Sequence, residues 1–237
     1  SDPYCLPPLE AVHGFTEEIL RLPHTHLCYA PELIKDYPKP CDEPPCIKNG
    51  YVTFGCFNNF SKVSEETLTL WRGILDRMPE AKLVLKGKTF SVPSGCAEVK
   101  KRLMNFGIRW QQIETRPYSQ DYLEQYGDID IALDTTPYTG GLTTCEALYM
   151  GVPVITLRGR THGARFSASI LENAGLSELV ADGEMNYVHK AVSLARSPEL
   201  LAQLHEGLRK QLQSSRLMDG QSYIKEVEEG YQMIEKR

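Results

Sequence analysis

From Tyr51 onward the chain alternates short, continuously apolar runs with amphipathic stretches, and this alternation restricts the fold more than any other feature. The runs "YVTFGCF" (51–57), "KLVLKG" (82–87), "DIDIALDT" (128–135) and "VPVITL" (152–157) have the content of strands buried on both faces. "RWQQIET" (109–115) and "ELVA" (178–181) predict two more strands. Between them, "SEETLTLWRGILDRM" (64–78) predicts a helix with Ser64 as N-cap and Leu68, Trp71, Leu75 and Met78 on one face. "AEVKKRLMNFG" (97–107) predicts a second, closed by Gly107. "SQDYLEQYG" (119–127), "TTCEALYMG" (143–151) and "THGARFSASILENAG" (161–175) predict three more, with helices from there to the end. Strand–helix alternation of this kind makes a Rossmann-like α/β domain, a doubly wound parallel sheet covered on both faces. Its ligands bind outside the carboxyl ends of the strands.

Residues 1–50 have a different texture. They hold nine of the fifteen prolines, in runs such as "YPKPCDEPPC", a density that disfavours helix interiors and central strands. One short helix over "LEAVHGFTEEIL" (9–20) is expected, and the remainder reads as an extended connector without a core of its own. The division is therefore a connector over 1–50 and a Rossmann-like lobe over 51–237.

A formal charge of −5 argues against a protein that grips nucleic acid over a broad surface. No apolar run approaches the roughly 18 residues needed to cross a bilayer. The first residues, "SDPYCLPPLE", show neither the basic start nor the apolar core of a signal peptide. Seven cysteines with no CxxC pair fit reduced thiols better than a disulfide framework. A cytoplasmic protein without membrane or nucleic-acid partners is expected.

Two loops leaving strands stand out: "CFNNFSK" (56–62) and the stretch that opens "TGGLTTCEALYM" (139–150). In the second, Gly140 and Gly141 leave room for close approach of a ligand, and Thr143 and Thr144 read as hydroxyls at a helix start, where unpaired N–H groups favour an anion. Glu146, expected in the first turn, suits the hydroxyls of a ribose better than a phosphate. Both loops can converge on one nucleotide.

The phrases "GYVTFGCFNNFSKVSEETLTLW", "DIDIALDTTPYTGGLTTCEALYMGVPVITLRG" and "RFSASIL", at these separations, resemble the C-terminal catalytic lobe of the O-GlcNAc transferase family, with its plant Spindly-type and bacterial tetratricopeptide-linked relatives. The resemblance covers nearly all of residues 22–236. It implies one half of a GT-B enzyme that moves a sugar, most readily GlcNAc, from a UDP- or GDP-sugar to protein Ser or Thr with inversion. It further implies no cofactor and no metal, and a partner N-terminal lobe with tetratricopeptide repeats that carries the acceptor-side groups.

The same resemblance assigns roles. Lys62 matches the family lysine that neutralises the leaving diphosphate, and Asn59 a position near the donor. Thr143 and Thr144 offer hydroxyls and N–H groups to phosphate; Glu146 takes the ribose. The segment Arg116, Pro117, Tyr118 and Ser119 matches the base-contacting loop, largely through backbone, and Tyr122 stands where animal members have a histidine. Gly141 and Leu142 depart from the family's threonine or His-Thr, so a polar contact to phosphate is absent there. Arg165 matches a recurrent arginine. His162 reads as a cap or core partner rather than a catalytic group. A zinc site drawn from "HTHLC" (24–28), Cys41 and Cys46 matches no established spacing. Beside the transferase stand a non-catalytic nucleotide-sugar-binding module, a GT-B metabolic enzyme such as an epimerase, and a scaffolding lobe.

Overall fold

Six parallel strands run in the order β3-β2-β1-β4-β5-β6. They are β1 (Thr53–Cys56), β2 (Lys82–Lys86), β3 (Ile113–Arg116), β4 (Ile131–Leu133), β5 (Val154–Leu157) and β6 (Val180–Ala181). The structure is a computed structural model and describes residues 1–7, 15–31, 37–41 and 43–235. Phe54 is in register with Leu83 on one side and Ile131 on the other, and all three are fully buried. The order reverses between β1 and β4. Their carboxyl ends thus form the switch point at which a doubly wound sheet opens a crevice.

Eight α-helices are described: α1 (Cys46–Asn49), α2 (Glu65–Arg77), α3 (Pro93–Asn105), α4 (Leu142–Tyr149), α5 (Phe166–Asn173), α6 (Glu184–Ala195), α7 (Pro198–Gln213) and α8 (Gly220–Glu235). Ser64 caps α2 as expected, its hydroxyl accepting the Thr67 N–H at 3.0 Å. Leu68, Trp71 and Leu75 are buried along one face of that helix. Gly107, with φ of 76°, follows α3 in the left-handed conformation that a side chain resists.

Several expectations are corrected. Residues 119–127 form no α-helix; only a 3-10 turn, Glu124–Asp128, occurs there. The helix expected from Thr161 begins at Phe166 and is preceded by a 3-10 turn, His162–Arg165. The strand expected over 109–115 starts at Ile113, after a 3-10 turn at Trp110–Gln112. The helix expected over 9–20 lies partly outside the described residues, and its described part, 15–20, is irregular.

The described part of 1–50 is closely applied to the lobe. The Tyr29 N–H donates to the Leu217 carbonyl at 2.8 Å, and Arg209 donates to the Pro38 carbonyl at 2.8 Å. Asp130, at the entry to β4, accepts the N–H groups of Cys46 at 2.8 Å and Thr53 at 2.7 Å, pinning α1 to the first strand. Cys5, Leu6, Leu22 and Tyr29 are buried, and Tyr29 joins the lobe's hydrophobic core.

Candidate active site

Asp134 sits at the end of β4, at the switch point, 3% exposed. Its Oδ1 accepts the Asn58 amide at 3.0 Å, the Thr135 N–H at 2.9 Å and the Gly140 N–H at 2.8 Å, while Oδ2 accepts the Thr156 hydroxyl at 2.7 Å. Burial pushes its pKa up; the hydrogen bonds oppose that shift. This carboxylate ties the loop after β1 to the loop after β4. The two loops expected to converge do so, and the tie is made by Asn58 and Asp134, which sequence reasoning passed over. A carboxylate ending an apolar strand was the available signal.

Gly140 is fitted to this knot. A Cβ there would lie 2.3 Å from the Thr144 hydroxyl and 3.2 Å from Asp134 Oδ1, so its close approach serves the protein itself rather than a ligand. A Cβ on Gly141 would meet nothing within 4 Å and would face open space.

α4 starts one residue earlier than expected, with Gly141 as its N-cap and no side-chain cap. Thr143 and Thr144 are therefore first-turn residues, and their hydroxyls turn inward: Thr143 donates to Asn58 Oδ1 at 2.5 Å, and Thr144 pairs with the Ser167 hydroxyl at 2.8 Å. The N–H groups of Leu142 and Thr143 have no intrahelical acceptor by the geometry of a helix start, which leaves backbone rather than hydroxyl to meet an anion. Glu146 is not in the first turn. It lies one turn further in and is 2% exposed, with the Tyr122 hydroxyl donating to its carboxylate in a short hydrogen bond. Burial raises its pKa, and the Tyr122 bond partly offsets the rise. Tyr122 is itself raised, by burial and by the carboxylate.

Lys62 ends a 3-10 turn, Phe60–Lys62, that Asn59 caps by accepting the Ser61 N–H at 3.2 Å. The exposed Asn59 side chain thus serves the turn. The Lys62 ammonium donates to the Thr139 carbonyl at 3.0 Å and lies 4.2 Å above the Tyr138 ring. Burial lowers its pKa, and the charge of Asp134 opposes the shift.

Pro117, Tyr118 and Ser119 follow β3. Their loop is held from below by Lys86, another residue missed in the sequence, which donates to the Pro117 carbonyl at 2.7 Å and to the Ser119 hydroxyl at 2.9 Å. Tyr118 projects outward and is 54% exposed. Arg116 is paired with Glu114 at 2.6 Å and Asp128 at 2.7 Å. Arg165 donates to the Gly159 carbonyl at 2.7 Å and shapes its own loop. His162 packs against Phe166 and His26.

A cleft of about 430 Å³ opens between these elements, within the range that holds small ligands. Lys62, Tyr138, Gly141, Leu142 and Thr143 line one side, and Leu27 to Tyr29 of the connector the other. Leu142, 60% exposed, gives this mouth an apolar face in place of the hydroxyl or imidazole that the family resemblance implies there. Glu146 and Tyr122 are not among the lining residues; they join the loop after β3 to α4 from behind.

Fold and cleft together define a class: a Rossmann-type lobe with a ligand-sized cleft at its switch point. The family follows from comparison. The profile of glycosyl transferase family 41 matches residues 46–227, and the chain belongs to that family. It is 36% identical, over 97% of its length, to a tomato (Solanum lycopersicum) protein described as "Probable UDP-N-acetylglucosamine--peptide N-acetylglucosaminyltransferase SPINDLY", and 37% identical over 93% to the Petunia hybrida protein of the same description. It covers 25% and 24% of those two proteins, so it spans about a quarter of the relatives it matches. Among solved structures, a mutant of the Thermobaculum terrenum O-GlcNAc transferase superposes with a TM-score of 0.72 at 40% identity, covering 77% of this chain and 35% of that one. WaaG, a glycosyltransferase of lipopolysaccharide biosynthesis, shares the fold at 14% identity, with a TM-score of 0.58 over 86% of this chain and 55% of its own.

Proposed function

We propose that this chain is the donor-binding lobe of an inverting glycosyltransferase that carries GlcNAc from a UDP-sugar to Ser or Thr hydroxyls of proteins. One observation carries the reading: the Lys62 ammonium and the first turn of α4 face the same cleft. In the reaction the acceptor oxygen bonds to the anomeric carbon as the carbon–oxygen bond to UDP breaks. The departing electron pair goes to the diphosphate. A fixed cation and helix-start N–H groups stabilise that developing charge, a device typically worth about 3–4 kcal/mol per donor. The acceptor's proton goes to a base supplied by the partner lobe, since no described group in this cleft is placed to take it. Pro117, Tyr118 and Ser119 hold the base, and Glu146 the ribose after Tyr122 yields. The names of the relatives support this donor and acceptor class.

The test uses the full-length protein, labelled UDP-GlcNAc and a protein acceptor. Labelling that falls at least about a hundredfold in Lys62→Met, with the fold intact, supports the assignment. Donor binding without any transfer by the full-length protein favours the binding-module reading instead.

A further inference from the structure

Three ligand-type side chains from separate stretches of chain meet beside α5. Cys5 comes from the first residues, His26 from the passage into the lobe, and His162 from the turn before α5. Each offers one ligand atom, and the three atoms lie within 4.8 Å of one another. The site considered from sequence, His24, His26 and Cys28 with Cys41 and Cys46, does not form among the described residues. His24 pairs with Glu226 at 2.5 Å, and the Cys41 thiol donates to the Glu43 carbonyl at 2.9 Å.

A second observation points the same way. Asp2 is fully buried and accepts the His26 Nδ1–H in a short bond, together with the Ser169 hydroxyl at 2.6 Å and the Cys5 N–H at 2.8 Å. A carboxylate that holds the proton on one ring nitrogen leaves the lone pair on the other, and this is how metal-binding histidines are oriented. We propose that Cys5, His26 and His162 bind one divalent transition-metal ion of the zinc class, with Asp2 as the carboxylate that orients His26.

The donor set selects the ion. One sulfur and two imidazole nitrogens suit zinc or its spectroscopic substitute cobalt; calcium and magnesium take oxygen ligands. Binding forms a metal–sulfur bond and releases the thiol proton, so one thiolate and the Asp2 carboxylate balance the ion's two positive charges. Ligand atoms around tetrahedral zinc stand about 3.5 Å apart, so ligand atoms within 4.8 Å of one another close by about 1.3 Å at most. A Cys–His–Asp nucleophile is the competing chemistry. Cys5 is 1% exposed, and no substrate reaches its sulfur. The ion would fasten the first residues to the turn that holds the cleft: the Gly163 carbonyl accepts the Thr139 hydroxyl at 3.2 Å, and the Thr139 carbonyl accepts Lys62.

Cobalt titration of the chelator-stripped chain tests the site. One equivalent should give a thiolate-to-cobalt charge-transfer band and the intense visible bands of four-coordinate cobalt, with water as the fourth ligand, and zinc should bleach both. Cys5→Ser should lose the charge-transfer band. His162→Ala, at a half-buried position that spares the thiol, should weaken cobalt binding at least tenfold while circular dichroism stays unchanged, and Asp2→Asn by about tenfold. The His162 variant decides the matter if Cys5→Ser does not fold. No charge-transfer band in the unaltered chain overturns the proposal, and so does a band of equal affinity in His162→Ala, which would exclude His162 from the metal's ligands.

Discussion

The ammonium of Lys62 donates to the main-chain carbonyl of Thr139, 3.0 Å away across the switch point, so the loop after β4 occupies the cation proposed for the donor's diphosphate. An arriving phosphate competes with a neutral carbonyl, and charged hydrogen bonds win that competition. Lys62→Ala should weaken UDP binding by about tenfold to a hundredfold, since hydrogen bonds to charged groups are worth about 1.5–3 kcal/mol. It should weaken free pyrophosphate by a similar factor. Added salt should reduce the wild-type affinity more than the variant's. Calorimetry with both ligands at two salt concentrations checks all three outcomes.

Glu146 carries a prediction in pH. Burial lifts its pKa above the ordinary glutamate value of about 4.3. The charged form therefore disfavours folding, a penalty absent below the ordinary value and complete once pH exceeds the raised one. Glu146→Gln keeps an acceptor for Tyr122 and removes the charge. It should melt higher than wild type at pH 7, with the difference vanishing as pH falls toward 4. Thermal unfolding across pH 4–8 reads this directly. The raised pKa values of Asp130 and Asp134 act equally in both proteins and cancel in the difference.

The same pair separates nucleoside from phosphate recognition. Glu146→Ala should weaken UDP more than pyrophosphate, unlike Lys62→Ala, whose loss falls on the phosphates that both ligands carry. Competition binding with UDP, uridine and pyrophosphate gives the comparison. Equal losses for all ligands would restrict Glu146 to holding Tyr122 against α4.

Asp134 should be the more costly residue for stability. Asp134→Ala strands the Asn58 amide, the Gly140 N–H and the Thr156 hydroxyl in a buried space, and each unsatisfied group costs about 1–3 kcal/mol. Urea unfolding should show a loss larger than that of Lys62→Ala, whose side chain lines the cleft.

The sheet was legible because its strands are continuous apolar runs, and Ser64 and Gly107 mark helix ends by chemistry that acts locally. The region over 119–127 misled because its apolar positions, Tyr122, Leu123 and Tyr126, suit a helix, yet Tyr122 is turned to Glu146 and Tyr126 into the core. Tertiary contacts override propensity in so short a segment. The two loops of the cleft were readable from glycine, hydroxyl and lysine content. What spacing could not reveal was direction. Thr143 and Thr144 spend their hydroxyls on Asn58 and Ser167, Asn58 rather than Asn59 faces inward, and Lys86 reaches from a strand to hold the loop after β3. Those facts depend on which strands are neighbours.

Isothermal calorimetry of the 237-residue chain with UDP, with GDP as comparison, tests the central claim most directly. A saturable, salt-sensitive UDP isotherm, tighter than GDP and lost in Lys62→Ala, is the predicted result. No UDP heat at millimolar ligand, or an isotherm indifferent to Lys62, would contradict the assignment of this cleft to the donor.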